Sequence, residues 1–99
     1  MDRRLIWDEA KRMANLAKHG LDFVDAALVL DSPYVLEVES IRRGETRRQA
    51  FAYVFEGLTV LTVVYLPGEP ARVISFRPAK RNEREAYHDW LENDFDEAQ

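Results

Sequence analysis

Five polar side chains near the start of the chain recur at helical spacing and carry groups that transfer protons or bind anions. They are Asp8, Lys11, Asn15, Lys18 and His19. Residues at these intervals lie along one side of an α-helix. His19 has the pKa range of a general acid or base, and a helix C-terminus favours the protonated imidazole. A solvated helix face explains the same pattern, so both interpretations stay open.

The basic residues are clustered, although the net charge is −4. The two clusters are Arg42, Arg43, Arg47 and Arg48, and Arg72, Arg77, Lys80, Arg81 and Arg84. Residues 89–99 hold five acidic residues and no Lys or Arg, which leaves 13 acids against 14 bases over residues 1–88. Local patches determine phosphate contacts, because a Debye length is about 8 Å at physiological salt. The clusters therefore indicate either a phosphate-binding surface or a solvated basic one.

Several classes of site and protein are excluded by what the sequence lacks. There is no cysteine, which excludes disulfides, thiolate zinc sites and a thiol nucleophile and fits a reducing cytoplasm. His19 and His88 are isolated from each other and the acids form no dense cluster, so we expect no metal and no cofactor. No apolar run reaches the length of a membrane span, and the first residues lack the apolar segment of a secretory signal. We expect a soluble, cytoplasmic protein without membrane contact.

The elements that must position these residues follow from periodicity and turn signals. At 99 residues and 11.6 kDa the chain is long enough for one domain. Helices are predicted at residues 9–18, with Asp8 as N-cap and Gly20 after the C-terminus, and at 23–30, with Asp22 as N-cap. A last helix is capped by Asn82 and Glu85 and extends to residue 93. Strands are predicted at residues 4–7, 34–39, 46–55, 58–66 and 72–77.

This order predicts an α+β fold with an antiparallel sheet of four to five strands. Glu56-Gly57 is typical of a hairpin between two of the strands. The two N-terminal helices and the C-terminal helix should cover one sheet face, leaving the other free for function. The first helix would pack through its small apolar stripe and the last through its apolar face; these are Ala10, Met13, Ala14 and Ala17, and Ala86, Tyr87, Trp90 and Leu91. We expect the domain to span residues 1–93 and residues 94–99 to form an acidic, flexible tail.

Alternation along residues 72–77 decides which side chains face the open side. One face would hold Val73, Ser75 and Arg77, and the other Arg72, Ile74 and Phe76. Because Ile74 and Phe76 are typical core residues, Ser75 and Arg77 should face the open side. Pro78 has no N–H to donate and should end the strand.

The N-terminal polar residues are part of a long spaced motif. It reads Trp7-Asp8-x-x-Lys11-x-x-x-Asn15-x-x-Lys18-His19-Gly20-x-x-Phe23-x-x-Ala26-Ala27. Further segments are Gly44-Glu45-x-Arg47, Val63-Val64-Tyr65, Arg72-Val73-Ile74-Ser75-x-Arg77 and Glu83-Arg84-x-x-Tyr87. Together they resemble the BrnT-type toxins of bacterial type II toxin–antitoxin systems over residues 5 to about 90.

The resemblance implies a RelE-like fold and a ribonuclease activity that arrests translation. It also implies a cognate BrnA-type antitoxin that carries the DNA-binding element. The toxin would then form a hetero-oligomer with the antitoxin, take RNA as its substrate and contact DNA only through the antitoxin. We expect the antitoxin to cover the basic face.

Metal-independent RNA cleavage through the 2′-hydroxyl needs a base, cations for the dianionic phosphorane and an acid for the departing 5′ oxygen. Arg binds two phosphate oxygens and stays charged, so Arg77 is assigned the cationic role, with Arg47 or Lys80 assisting. His19 is the candidate acid or base, followed by Glu45 and Tyr65. The expected substrate-binding residues are Lys18, Ser75, Arg81 and Tyr65. The alternative for Arg77 is a structural ion pair with Glu45 or another acid.

Two other functions stay open. At Arg48, Ala52 and Phe76 this chain departs from the usual family pattern, which leaves room for a catalytically inactive protein-binding or co-repressor module. A stand-alone nucleic-acid-binding domain is disfavoured by the acidic overall balance.

Overall fold

The structure, a computed structural model, describes residues 4–54 and 59–95. The strands are β1 (Leu5–Ile6), β2 (Leu36–Arg42), β3 (Glu45–Tyr53), β4 (Val60–Leu66) and β5 (Ala71–Pro78). The helices are α1 (Glu9–His19), α2 (Ala26–Leu30), which follows a 3₁₀ turn at Phe23–Asp25, and α3 (Arg81–Asp89), which continues as a π-helical turn at Trp90–Phe95. In the described ranges no helix is long and apolar enough to cross a membrane.

The five strands form one sheet in the order β1-β5-β4-β3-β2. From β2 to β5, consecutive strands pair antiparallel, which confirms the predicted meander. β1 pairs parallel with β5 through Leu5–Ala71 and Ile6–Arg72. The sheet is therefore mixed, because its first strand pairs with the last strand in the chain and not with its sequence neighbour.

The predicted caps of the N-terminal helices are confirmed. Asp8 Oδ1 accepts a hydrogen bond from the Lys11 backbone N at 3.1 Å, and Asp22 Oδ1 accepts one from Val24 N at 3.1 Å. Gly20 ends α1 in the left-handed conformation, with φ +71°, which glycine adopts without steric cost. α1 thus begins and ends where the sequence indicates.

The β2–β3 hairpin extends three residues beyond the predicted end of its first strand. Arg43 and Gly44 form its two-residue turn with φ values of 54° and 78°, the pattern of a type I′ turn. Arg42 therefore pairs with Glu45, and Ser40 with Arg47. The hairpin predicted at residues 56–57 and the tail residues 96–99 lie outside the described residues.

Helices cover both faces of the sheet, so the prediction that one face stays entirely bare is wrong. Ala50 and Ala52 of β3 pack with Phe23, Ala26 and other residues of the α2 side. Between them, Phe51 points to the opposite face and packs with Val60 and Tyr87 under α3. Since α3 covers only this end of its face, the other end is left open, and the candidate site lies there.

α1 packs through the opposite side from the one predicted. Its four small apolar residues Ala10, Met13, Ala14 and Ala17 are all exposed, and none of its residues is fully buried. The half-buried positions are Arg12, Asn15 and His19. Asn15 Nδ2 donates to the Phe76 carbonyl of β5 at 2.7 Å. α1 lies along β5, where the backbone N–H and carbonyl of Phe76 need hydrogen-bond partners. The polar side of α1 that carries Asn15 therefore faces the sheet.

The start of α3 also differs from the prediction. Arg81 is its first residue, and the Glu83 carboxylate accepts the Lys80 backbone N–H at 2.8 Å. Glu85 pairs instead with Arg81 at 3.1 Å, so the expected Asn82–Glu85 capping box is wrong. Of the expected apolar face, Tyr87 is buried, Trp90 and Leu91 are half-buried, and Ala86 is exposed.

Candidate active site on the open sheet face

A β-bulge in β5 changes which side chains reach the open face. Arg77 pairs with Thr62, Ser75 with Val64, and Arg72 with Leu66, and the register shifts between Val64 and Tyr65. Because Thr62, Val64 and Leu66 share one face of β4, their partners share it as well. The one extra residue in β5 lets Arg72 join Ser75 and Arg77 on the open face.

The predicted placement of Ser75, Arg77 and Phe76 is confirmed, and that of their neighbours is wrong. Phe76 is fully buried in the core, as expected. Val73 is also core, 2% exposed, whereas Ile74 is half-buried and lines the open face. Simple alternation fails at the bulge, where two successive residues lie opposite one residue of β4.

The open face holds a groove of about 300 Å³, here called the central groove. It is lined by Ser40, Arg42, Arg47, Gln49, Val64, Ile74, Ser75, Arg77, Lys80 and Glu83. Four of these residues are cationic and one is acidic, so the groove suits an anion. Three of the predicted catalytic residues, Arg47, Arg77 and Lys80, and the predicted binding residue Ser75 meet here.

Arg77 is held by Glu83 in a two-point ion pair. Its Nη1 lies 2.8 Å from Oε1 and its Nη2 lies 3.0 Å from Oε2; the side chains are only 15% and 9% exposed. Burial would raise the pKa of Glu83, but hydrogen bonds from Arg77, the Lys80 N–H and Thr62 hold it below its usual value. The alternative prediction for Arg77 was an ion pair with Glu45 or another acidic residue. Its partner in the structure is Glu83, whereas Glu45 pairs with Arg47.

The remaining cations of the central groove differ in their partners. Arg47 Nε lies 3.0 Å from Glu45 Oε1, which orients its guanidinium at the groove. Arg42 and Lys80 are exposed, and neither side chain forms an ion pair within residues 4–54 and 59–95. The groove thus combines two oriented guanidiniums with two cations that are free to move onto a ligand.

His19 lies at the end of α1, half-buried and within electrostatic reach of Arg77. Partial burial and the positive charges of Lys18 and Arg77 lower the pKa of His19 below 6.5. This differs from the expected stabilisation of the protonated imidazole by the helix dipole, because desolvation and like charges outweigh it. The charge of Arg77 thus reaches His19, and the lowered pKa favours the neutral ring. His19 is not among the residues that line the central groove.

Three further predicted residues lie away from the central groove. Tyr65 points to the opposite face, is 3% exposed, and its hydroxyl donates to Glu37. Arg81 is exposed at the start of α3 and pairs with Glu85. Lys18 is exposed beside His19 on α1. Of these residues, Tyr65 is the one that the sheet separates from the groove.

Sequence reasoning missed Glu83, Arg42 and Gln49 as residues of the site. The Lys80-x-x-Glu83 spacing is that of an N-cap and the acidic residue that reaches back to it, which could have indicated Glu83. Arg42 and Gln49 would have followed from the hairpin register, had the Arg43-Gly44 turn been used to align β2 with β3. Within the described chain, no three His, Asp or Glu side chains form a group that could hold a metal ion.

Comparisons with a family model and with solved structures both give significant matches. Residues 7–83 match the model of the family described as "Ribonuclease toxin, BrnT, of type II toxin-antitoxin system". The crystal structure of the ribonuclease toxin BrnT from Brucella abortus is similar to the fold, with a TM-score of 0.57 and 34% identity over 81% of this chain and 100% of that one. No curated protein sequence matches significantly.

Sequence and fold agree over the same region. The family model includes α1, the hairpin of β2 and β3, and the strands that carry Arg47 and Arg77. The solved BrnT structure is matched over its entire length. On both grounds, this chain belongs to the BrnT family of ribonuclease toxins from type II toxin–antitoxin systems.

Proposed function

We propose that this chain is a metal-independent endoribonuclease that cleaves RNA in the central groove. The observation that carries the proposal is the clustering of Arg42, Arg47, Arg77 and Lys80 around one groove. The charge of Arg77 also reaches His19 and lowers its pKa. A phosphodiester brings one negative charge to this groove and gains a second as it becomes a phosphorane. Oriented guanidiniums stabilise that added charge more than they stabilise the ground state.

Neutral His19 is the base in this mechanism. It takes the proton of the 2′-hydroxyl, and the 2′ oxygen attacks the adjacent phosphorus. The bond from phosphorus to the 5′ oxygen breaks, and an acid, the protonated His19 or Lys80, gives that oxygen a proton. The products are a 2′,3′-cyclic phosphate and a 5′-hydroxyl. A lowered pKa suits this base role, because the imidazole must be unprotonated when RNA binds.

Glu83 fixes Arg77 without removing it from the groove. The two ion-pair contacts use Nη1 and Nη2 of the guanidinium, while its Nε makes no hydrogen bond within the described residues. Nη1 also donates to the Pro78 carbonyl at 3.3 Å. Of the five N–H groups of an arginine side chain, those directed at neither Glu83 nor Pro78 remain for a phosphate oxygen. Glu83 is thus a positioning residue for Arg77.

The positions at which this chain departs from the usual family pattern lie away from the groove. Phe76 is buried in the core between the sheet and the N-terminal helices, and Ala52 belongs to the same cluster. Arg48 pairs with Glu39 at 3.7 Å and faces the same side as Tyr65. This geometry supports an active enzyme over the inactive co-repressor module.

In the cell, the ribonuclease would arrest translation and be neutralised by its antitoxin. We propose that the antitoxin is of the BrnA type, carries the DNA-binding element and covers the basic face in a hetero-oligomer. Acidic residues on the partner would neutralise Arg42 and Lys80, which have no ion-pair partner in the described part of the chain, and would block RNA. Action on RNA in translation assigns the protein to the cytoplasm.

Cleavage of a defined RNA in the presence of EDTA tests the proposal. Wild type and Arg43→Gln, which alters a cation at the hairpin turn, should cleave and leave cyclic phosphate ends. Arg77→Ala should lose about 100- to 1000-fold in rate, the usual effect of removing one oriented transition-state donor. His19→Ala should also lose most activity. Full activity of both variants, with circular dichroism confirming their folding, would overturn the site.

Co-expression tests the biological role separately. The chain alone should arrest growth, and its antitoxin should relieve the arrest. If the chain leaves growth unaffected but binds the antitoxin, both alone and when the antitoxin is bound to DNA, the co-repressor module would be supported instead.

A further inference from the structure

A second groove lies directly beside the central one. It measures about 310 Å³, and we call it the flanking groove. Its lining consists of Asp8, Lys11, Glu45, Arg47, Leu66, Arg72, Val73 and Ile74. Arg47 and Ile74 line both grooves. The two grooves are therefore adjacent on the open face, with Arg47 at their junction.

Besides Arg47 of β3, two elements place cations in the flanking groove. Arg72 reaches it because the bulge in β5 turns its side chain onto the face of Ser75 and Arg77. Lys11 reaches it from the first turn of α1, where Asp8 is the N-cap. Neither cation belongs to the set used for cleavage in the central groove.

Two cations of the flanking groove, Lys11 and Arg72, are available to a ligand. Lys11 and Arg72 are exposed, and across residues 4–54 and 59–95 neither side chain forms an ion pair. The nearby carboxylates are already engaged, since Glu45 pairs with Arg47 and Asp8 accepts the Lys11 backbone N–H. Unpaired cations in a concave site favour binding of a phosphate group.

From these contacts we infer that the flanking groove binds the phosphate of a nucleotide next to the cleaved one. The inference rests on the proposed function and narrows the substrate to single-stranded RNA that runs through both grooves past Arg47. Among the described residues, the lining of the flanking groove contains no aromatic side chain, so we expect it to hold the backbone without stacking a base. Lys11 and Arg72 thus select substrate length and not base identity.

The experiment compares RNA substrates of two and four nucleotides. A dinucleotide carries only the scissile phosphate, whereas a tetranucleotide also supplies neighbouring ones. The ratio of kcat/KM for the long substrate to that for the short one should fall about tenfold in Lys11→Gln and in Arg72→Gln, since one charged hydrogen bond is lost. Arg43→Gln removes the same charge outside both grooves and should leave the ratio unchanged.

Binding of an uncleavable 2′-O-methyl tetranucleotide gives a readout that does not need catalysis. Its affinity should depend on salt, and each of the two variants should reduce the slope of log K against log salt concentration by about 0.7, the value for one lost phosphate contact on a single strand. The Arg43→Gln control should keep the wild-type slope.

The outcomes separate this inference from the proposed function. If wild type cleaves no RNA but binds the tetranucleotide through Lys11 and Arg72, the proposed function fails and the flanking site stands. If cleavage is intact while both variants keep the wild-type ratio and slope, the flanking site is overturned. A wild type that neither cleaves nor binds the tetranucleotide overturns both.

Discussion

The side-chain amide of Asn15 pairs with both backbone groups of Phe76. Its Oδ1 accepts the Phe76 N–H at 3.2 Å, and its Nδ2 donates to the Phe76 carbonyl at 2.7 Å and to the Leu21 carbonyl at 3.0 Å. One amide thus replaces a neighbouring strand at the edge of β5. Because His19 lies one turn after Asn15 and Arg77 follows Phe76, this contact sets the imidazole and the guanidinium at a fixed relative position.

Replacing Asn15 by alanine should therefore reduce both stability and activity. The backbone N–H and carbonyl of Phe76 would lose their partner at a half-buried position, which costs about 2 kcal/mol of unfolding free energy. Cleavage should fall more than the unfolded fraction explains, because α1 can shift and carry His19 away from Arg77. Urea denaturation and kcat measured on the folded protein give the two values.

A matched substitution on the same helix serves as the control for Asn15. Ala14 is exposed, and Ala14→Ser should leave both stability and cleavage close to wild type. Asn15→Asp keeps the size but turns a donor into an acceptor facing two carbonyl groups, so it should be at least as damaging as alanine. If Asn15→Asp were as active as wild type, the positioning role would be wrong.

Stability should fall at acidic pH through Glu83. Its pKa in the folded protein lies below the usual value of 4.5, so folding favours the carboxylate. The stabilisation that the Glu83 carboxylate provides is present above pH 4.5 and is lost as the pH falls from there towards the pKa of Glu83 in the folded protein. Denaturation of wild type and Glu83→Gln between pH 7 and pH 3 checks this, and the variant should lose less stability over the same range.

At neutral pH, Glu83→Gln should be less stable than wild type. It leaves the buried Arg77 without its carboxylate, which costs about 3 kcal/mol. The double variant Arg77→Met with Glu83→Gln removes both charges and should recover part of that loss. Equal stability of the single and double variants would indicate that the unpaired Arg77 charge carries no penalty, and a Glu83→Gln protein as stable as wild type would show that the ion pair does not stabilise the fold.

The pKa of His19 should rise when a neighbouring positive charge is removed. Burial, Lys18 and Arg77 hold it below 6.5, and Lys18→Gln removes one of the two charges that oppose protonation. NMR titration of the imidazole should show the increase, and the acidic limb of the pH–rate profile should move to higher pH with it.

A shift of the His19 titration without a matching shift in the pH–rate profile would mean that another group is the base. Glu45 would then be the next residue to test, because it lies beside Arg47 at the junction of the two grooves.

Tyr65 should have no part in cleavage, although its residue type and strand position suggested substrate binding. Its ring is in the core on the opposite side of the sheet, and its hydroxyl donates to Glu37. Tyr65→Phe should lower stability by about 1 kcal/mol through the lost hydrogen bond and leave kcat/KM unchanged. A large loss of cleavage in a stable Tyr65→Phe protein would contradict the placement of Tyr65 on the sheet face opposite the grooves.

The order of helices and strands, and the strand that carries Arg72 and Arg77, could be predicted from the sequence, because helix caps, turns and runs of β-branched residues are local signals. The side by which α1 packs could not. Periodicity places the apolar stripe of Ala10 and Met13 inward, whereas the exposed edge of β5 requires a hydrogen-bonding partner and takes Asn15. Backbone satisfaction at a strand edge depends on a contact 61 positions away in the chain, and no local pattern encodes it.

The composition of the site was predictable only in part, for a related reason. Arg47, Arg77 and Lys80 follow from charge clustering and strand alternation, but Arg72 reaches the same face only through the bulge at Ile74. Bulges arise from pairing with a neighbouring strand, and the residues that flank this one carry no glycine signal. Charge alone does not decide between Glu45 and Glu83 as the partner of Arg77, and only the N-cap spacing of Lys80 and Glu83 could have indicated Glu83.

Association with the antitoxin should be fast at low salt and should slow steeply as salt is added. The expected interface includes the central groove, where Arg42 and Lys80 attract an acidic partner and raise the on-rate. Stopped-flow association at several salt concentrations measures the slope, which Arg42→Gln with Lys80→Gln should flatten. The 2′-O-methyl tetranucleotide should compete with the antitoxin for wild-type protein. A ternary complex of toxin, antitoxin and oligonucleotide, or a salt-independent on-rate, would place the antitoxin elsewhere, the exposed apolar side of α1 at Met13 and Leu16 being the next surface to test.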